Sequence, residues 1–366
     1  MSMKYMFLLA ISLILLFFTQ PLLNADTIDY DLPESFSWQN INGVDYLTPV
    51  KNQAPAPTCE AYALCAALET ILQHDTQSLY TPDLSETHLY FYAGGTYRAG
   101  YVNIVDAANY LITTGVPDEG CYPDPHRPFD YPFESLQDWP ERTVKITEWG
   151  WVDRTDEAIK QALIDHGPLA VCMYLCQDFH YYSGGVYEHT WGSVSTGHVM
   201  TLVGYDDTQQ CWIIKNSAGS DWGEDGYVRM HYDSALFAEW YGEDTGIMYI
   251  DGAYGNIQPD VPKVYIETPQ IFHTYLYGTE HTQLFRSFPL FQKGAPRLFG
   301  PIPIKVTTEA TQRVEFYVDN ELQFTDNSPP FEWTFSDSFG VHTITVIAYD
   351  EENDRSMDVL DVFVIV

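Results

Sequence analysis

VKNQAPAPTCEAYALCAALETIL, residues 50–72, sets a polar, proline-rich approach against a strongly helix-forming run. Ala61, Leu64, Cys65, Leu68, Ile71 and Leu72 recur at helical spacing and predict one buried face. Cys59 falls at the start of that helix. A thiol there meets the positive end of the helix dipole and unpaired N–H groups, both of which favour the thiolate.

Partners for such a thiol stand far downstream. His198 lies in STGHVMTLVGYD and Asn216 in CWIIKNSAGSDWGEDGYVRM, and the histidine follows Cys59 by 139 residues. Gln53 precedes the cysteine by six. Each has a plain alternative taken singly. Cysteine is often an inert core residue, the chain has eleven histidines, Asn216 suits a turn before Gly219, and Gln53 suits a solvated loop. Their order and local sequences weigh together where each alone does not.

Several further stretches keep the same order: LPESFSWQNINGVDYLTPVKNQ at residues 32–53, LSETHLYFYAGG at 84–95, Gly100-Tyr101, TGVPDEGCYP at 114–123, HGPLAVCMY at 166–174 and FHYYSGGVY at 179–187. With these motifs the chain resembles the papain-like cysteine peptidases (papain/cathepsin family) over about two-thirds of its mature length. The separation of Cys59 and His198 also suits that family. The resemblance implies an α+β, papain-like two-lobed fold, a helical lobe plus a β-barrel-like lobe, with the cleft between them. It implies peptide-bond hydrolysis with no cofactor. Cys59 would attack as the thiolate and His198 would pair with it and protonate the leaving amine. Asn216 would hold the imidazole in line, and Gln53 would join the Cys59 backbone N–H in an oxyanion hole. Ala99, Gly100, Thr196, Val199 and Trp222 are expected at the substrate side; a glycine at 100 lets a substrate backbone approach closely.

The chain departs from the family beside its nucleophile. Ala54, Pro55, Ala56 and Pro57 replace a glycine- and cysteine-rich loop, Glu60 takes an aromatic position, and Ala218 stands where a tryptophan shields the Asn–His bond. One residue along a helix turns a side chain by about 100°, so Glu60 is expected to face solvent and Cys59 to be a reactive thiolate at neutral pH. Two rivals stand beside the peptidase reading. A degenerate fold that binds peptides or surface partners without cutting is favoured by Glu60 and Ala218. A transglutaminase-like transferase is disfavoured because such enzymes usually complete the triad with Asp.

Residues 1–25 read as a secretory signal: Lys4, an apolar run over residues 6–18, then Leu23-Asn24-Ala25 as the cleavage site. The run is short for a membrane span, for which ~20 residues are needed. A secreted or extracellular, cell-surface-associated protein is expected, with no membrane insertion of the mature chain. Only about a dozen residues separate Ala25 from LPESF, so no long inhibitory prosegment is expected there. A net charge of −34 disfavours nucleic acid and anionic membranes, which need basic patches. A peptide or protein is the expected partner.

Five cysteines remain beside Cys59, and a Cys121–Cys176 bridge is one pairing open to an oxidising compartment. Cys172 and Cys176 lack a second pair at zinc-site spacing, so no metal is expected. Residues 26–250 are read as the first domain and residues 251–262, rich in Gly, Pro and Asn, as an exposed linker. Residues 263–366 alternate apolar and polar side chains around turns at Asp319-Asn320 and Ser328-Pro329-Pro330. They resemble an all-β immunoglobulin-like sandwich, to which cell-surface or polymer contact is assigned, and which is expected to be separable from the first domain.

Overall fold

The computed structural model describes residues 32–77, 80–96, 100–124, 133–234, 237–238, 246–258, 261–281 and 294–365. The expected signal, residues 1–25, lies outside the described residues. No helix among the described residues is long and apolar enough to cross a membrane.

The helix predicted around Cys59 spans Cys59–Asp75. It is buried on nearly every side, not along one stripe, and its enclosed residues include Glu60, Glu69, Thr70 and Gln73. A helix sheathed all round lies at the centre of a fold. On one side it packs with Glu86–Tyr92 and Ile104–Thr113, each begun by a side-chain cap, Ser85 on the His88 N–H and Asn103 on the Val105 N–H. On the other side it meets Leu169–Cys176 and Val194–Asp206, and Thr201 Oγ1 donates to the Ala63 carbonyl at 3.2 Å.

Those two strands belong to an eight-stranded sheet that forms the second lobe. Its path runs Glu148–Trp151, Ile247–Asp251, Leu169–Cys176, Val194–Asp206, Cys211–Lys215, Tyr227–His231 and Val186–Tyr187, with Ser35–Ser37 added on Val194–Asp206. Leu169, Val171, Leu202, Val203, Trp212, Ile214 and Val228 fill its core. The helix Asp156–His166 packs on this sheet, capped by Thr155 on the Ala158 N–H.

The C-terminal region is a sandwich of a three-stranded and a seven-stranded sheet over a core that includes Leu298, Ile304, Phe316, Phe335, Val346 and Val362. Arg313–Val318 and Glu321–Asp326 form the expected hairpin; Asp319 and Asn320 both take positive φ, as a tight hairpin turn needs.

The two regions share a packed seam, and Ile257, in the stretch read as an exposed linker, is 5% exposed. Met357 and Val359, on the sandwich strand Arg355–Val364, sit in the hydrophobic core of the helical lobe together with Ile257 from the intervening stretch. Arg142 is 2% exposed. Its Nε and Nη2 donate to the two Asp118 carboxylate oxygens at 2.9 and 2.5 Å, and its Nη1 donates to the Arg355 carbonyl at 2.9 Å. The Met357 N–H donates to the Gly120 carbonyl at 3.0 Å. TGVPDEGCYP is therefore part of the seam between the two regions.

No disulfide joins any of the six cysteines. The Cys121–Cys176 pairing is not made: Cys121 lies in the core of the helical lobe, while Cys176 ends a strand of the sheet lobe.

Candidate active site

Three segments deliver the site. The approach to the nucleophile is pinned by Lys51, whose Nζ meets Glu69 Oε1 at 2.9 Å, Glu86 Oε1 at 2.7 Å and Asp83 Oδ1 at 2.7 Å. Thr48 Oγ1 donates to Glu69 Oε2 at 2.6 Å, and Lys215 Nζ donates to the Thr48 carbonyl at 2.7 Å. A part-buried lysine surrounded by carboxylates keeps its proton: burial works to lower the Lys51 pKa, and the charges of Glu69, Glu86 and Asp83 hold it well above its ordinary value. Beyond Lys51 the chain is stitched to the turn that carries Asn216. The Gln53 N–H donates to the Ser217 carbonyl at 3.0 Å, and the Gly219 N–H donates to the Lys51 carbonyl at 3.1 Å. Ser217 Oγ donates to Gln53 Oε1 at 2.5 Å, and Gln53 Nε2 donates to the Ala56 carbonyl at 2.8 Å. The amide has a second N–H for another acceptor.

His198 lies mid-strand in Val194–Asp206, and Asn216 just past the end of Cys211–Lys215. The ring nitrogen His198 Nε2 lies 2.9 Å from Asn216 Oδ1, which also accepts the Ser217 N–H at 2.8 Å. Asn216 is buried even with Ala218 beside it exposed, so this pair is covered without the absent tryptophan. Burial is the leading influence on His198 and lowers its pKa; the Asn216 hydrogen bond works the other way.

The Val199 backbone N–H, from the residue following His198, acts to lower the Cys59 pKa. The thiol's other neighbour is Glu60. The expectation that Glu60 faces solvent is corrected: the residue is 3% exposed, and Oε2 lies 3.5 Å from Cys59 Sγ. Glu60 sits on the inward side of the helix start, while Cys59 beside it is half-buried. Burial and the Glu60 charge push the Cys59 thiol strongly upward, against the Val199 N–H. Burial pushes the Glu60 carboxyl from its ordinary 4.5 up to about 7, while N–H groups of Glu60 and Val102 favour its charged form. A ready thiolate at neutral pH is therefore not what this arrangement holds.

The expected substrate-side residues are divided. Gly100 has φ +71°, and a Cβ built on it would meet nothing within 4 Å, so its backbone faces open space. Thr196 is exposed. Trp222 packs at a tilt against Phe179 and Tyr182, with ring centroids at 5.1 and 5.6 Å. Val199 is 1% exposed, its side chain in the core, so it offers the site its backbone and not a pocket wall. Ala99 lies outside the described residues.

The sequence matches the model described as papain family cysteine protease over residues 32–247. The chain belongs to the papain family of cysteine proteases. A second match, to a bacterial Ig domain, covers residues 297–346 within the C-terminal sandwich. Among relatives, fruit bromelain of Ananas comosus is 31% identical over 217 residues, 58% of each chain. Zingipain-2 of Zingiber officinale is 33% identical over 205 residues, 54% of this chain and 87% of that one. Cathepsin B-like CP2 of Giardia intestinalis is 53% identical over 76 residues, 20% of this chain and 25% of that one. The chain thus spans less than two-thirds of the length of several relatives it matches, fruit bromelain and the Giardia protein among them. The solved bromelain protease of Ananas comosus, in complex with the E64 inhibitor, aligns with TM-score 0.49 and 28% identity over 60% of this chain and 99% of that one. In this papain-family member, sequence reasoning missed the inward Glu60; adjacency to Cys59 was the only signal.

Proposed function

We propose that this chain is a secreted cysteine peptidase whose site is Cys59, His198, Asn216 and Gln53. The observation that carries the reading is the His198 Nε2–Asn216 Oδ1 contact of 2.9 Å on the strand whose next N–H, that of Val199, acts to lower the Cys59 pKa. The Cys59 thiolate attacks the scissile carbonyl carbon, and the oxygen gains charge against the Gln53 amide and the Cys59 N–H. As the C–N bond breaks, imidazolium His198 gives its proton to the leaving amine. Water then adds to the thioester, His198 takes the water proton, and the thiolate leaves.

Glu60 makes this site favour acid. Ionised, its carboxylate accepts the Cys59 S–H and opposes a second negative charge beside it. Protonated, it has an O–H to give the thiolate. The working form therefore has Glu60 neutral, below about pH 7. The test is hydrolysis of a mixed peptide library between pH 4 and 9. Cutting should vanish in Cys59→Ala and in His198→Ala; activity surviving either change would remove the reading. The buried Glu60 also favours a second reading, a peptide-binding module that does not cut. Retained peptide binding with no hydrolysis at any pH would select it. Which residues flank the cut bond is set by the Gly100, Thr196 and Trp222 side of the cleft.

A further inference from the structure

Away from the cleft, Cys176, Asp178 and His189 converge although no motif spacing joins them. Cys176 is the last residue of the strand Leu169–Cys176, and Asp178 lies in the short 3-10 turn Gln177–Tyr181. A sulfur, a carboxylate oxygen and a ring nitrogen, one from each residue, all lie within 4.8 Å of one another. Among the described residues no other three His, Cys, Asp or Glu side chains meet this closely. We propose that these three residues form a site for one divalent transition-metal ion of the zinc class.

The donor set selects the ion. Thiolate and imidazole suit zinc and its neighbours, whereas calcium and magnesium take oxygen ligands. Zinc bonds of roughly 2.0–2.3 Å hold ligand atoms ~3.3–3.8 Å apart in a tetrahedron, so the His189–Asp178 pair, now 3.0 Å apart, opens slightly, while no pair in the trio exceeds 4.8 Å. The site is also built before any ion arrives. Asp178 is 7% exposed and accepts from Tyr187 Oη at 2.8 Å, the Thr190 N–H at 2.7 Å and the Trp191 N–H at 3.2 Å. His189 Nδ1 lies 3.0 Å from Asp178 Oδ1. The ion would replace the His189–Asp178 hydrogen bond with a bond to each, while the Tyr187, Thr190 and Trp191 donors keep the carboxylate in place.

Cys176 and Asp178 are buried and His189 is exposed, so solvent reaches the trio from the His189 side. Cys176 and His189 line a cavity of about 590 Å³ shared with Glu188 and His231. Water can occupy the fourth position from that side. On binding, the Cys176 S–H bond breaks, its proton leaves to solvent, the metal–sulfur bond forms and aqua ligands depart. No oxidation state changes. The ion would clip the end of Leu169–Cys176 to residues 188–193, the connection that leads into the His198 strand. The earlier expectation of no metal rested on spacing alone, which cannot see a ligand set assembled by a strand end, a turn and a loop.

The test uses the full chain carrying Cys59→Ala, which removes the competing thiol of the cleft, stripped of metal and titrated with Co(II) and then Zn(II). The expected result is one ion per chain, a sulfur-to-cobalt charge-transfer band displaced by zinc, and a raised melting temperature with zinc. Adding Cys176→Ser should remove the band, and His189→Ala should weaken zinc binding by roughly 100-fold. The His189 side chain is half-exposed, so its replacement leaves the fold standing, checked by circular dichroism. No band in the Cys59→Ala chain, or parent-like affinity in both added variants, would overturn the site. Neither result depends on peptide cutting.

Discussion

Glu60 Oε2 lies 3.5 Å from Cys59 Sγ, so the half-buried thiol proposed as the nucleophile has a buried carboxyl group beside it. The consequence is a pH profile turned toward acid. Peptide hydrolysis should fall as pH rises through about 7, where Glu60 ionises. Glu60→Gln keeps the volume and removes the charge. At pH 8 it should raise kcat/KM at least about tenfold, which corresponds to ~1.4 kcal/mol, and flatten the alkaline limb. Matched profiles for parent and variant would show that the carboxylate does not act on the thiol.

The same carboxyl also sets a stability trend. Its folded-state pKa is raised, from 4.5 to about 7, so the folded protein holds this proton more tightly than the unfolded chain. Its contribution is complete below about pH 4.5 and is lost as pH rises through 7. The loss is on the order of 3 kcal/mol for a shift of this size. Urea unfolding at pH 8 should therefore find Glu60→Gln more stable than the parent, with the difference vanishing near pH 4.

Gln53 is fixed to the Asn216 turn by two hydrogen bonds through Ser217. Gln53→Ala should lower kcat by roughly 10²-fold, the loss expected for one oxyanion donor. Alkylation of Cys59 by iodoacetamide should change little, because that reaction builds no oxyanion. If alkylation falls in step with turnover, Gln53 positions the loop and does not serve the transition state.

Elements whose residues alternate or recur were legible in the sequence: the Cys59 helix and the hairpin around Asp319-Asn320 are where periodicity and turn residues put them. The order of Gln53, Cys59, His198 and Asn216 was legible through their flanking motifs. What escaped depends on three-dimensional enclosure. Periodicity gives the Cys59 helix one buried face, while the fold surrounds it, and Glu60 is carried inside as a result. Arg142 and Asp118 stand 24 residues apart with no spacing rule to join them. Val199 looked like a pocket wall by position, yet strand alternation sends its side chain to the core.

The seam between the two regions yields a prediction opposite to independent domains. Arg142→Ala leaves Asp118 buried without its partner and should cost about 3–5 kcal/mol. Met357→Ala, at a residue 5% exposed, should cost roughly 2–5 kcal/mol. Both should destabilise the papain-like region, read by urea unfolding followed through its tryptophans. A chain ending at Pro262 should be less stable than the whole and bind a hydrophobic dye where Met357 and Val359 had covered the helical lobe. An unchanged transition in all three would mean that the sandwich only rests on its neighbour.

The most direct measurement is the rate of iodoacetamide alkylation of each cysteine against pH, read by peptide mapping and mass spectrometry. Cys59 should be the fastest of the six, with a rate that rises as pH falls through about 7 and that drops in His198→Ala. A Cys59 that reacts no faster than the buried cysteines, or only above pH 8, would contradict the nucleophile and its neutral-Glu60 working form together.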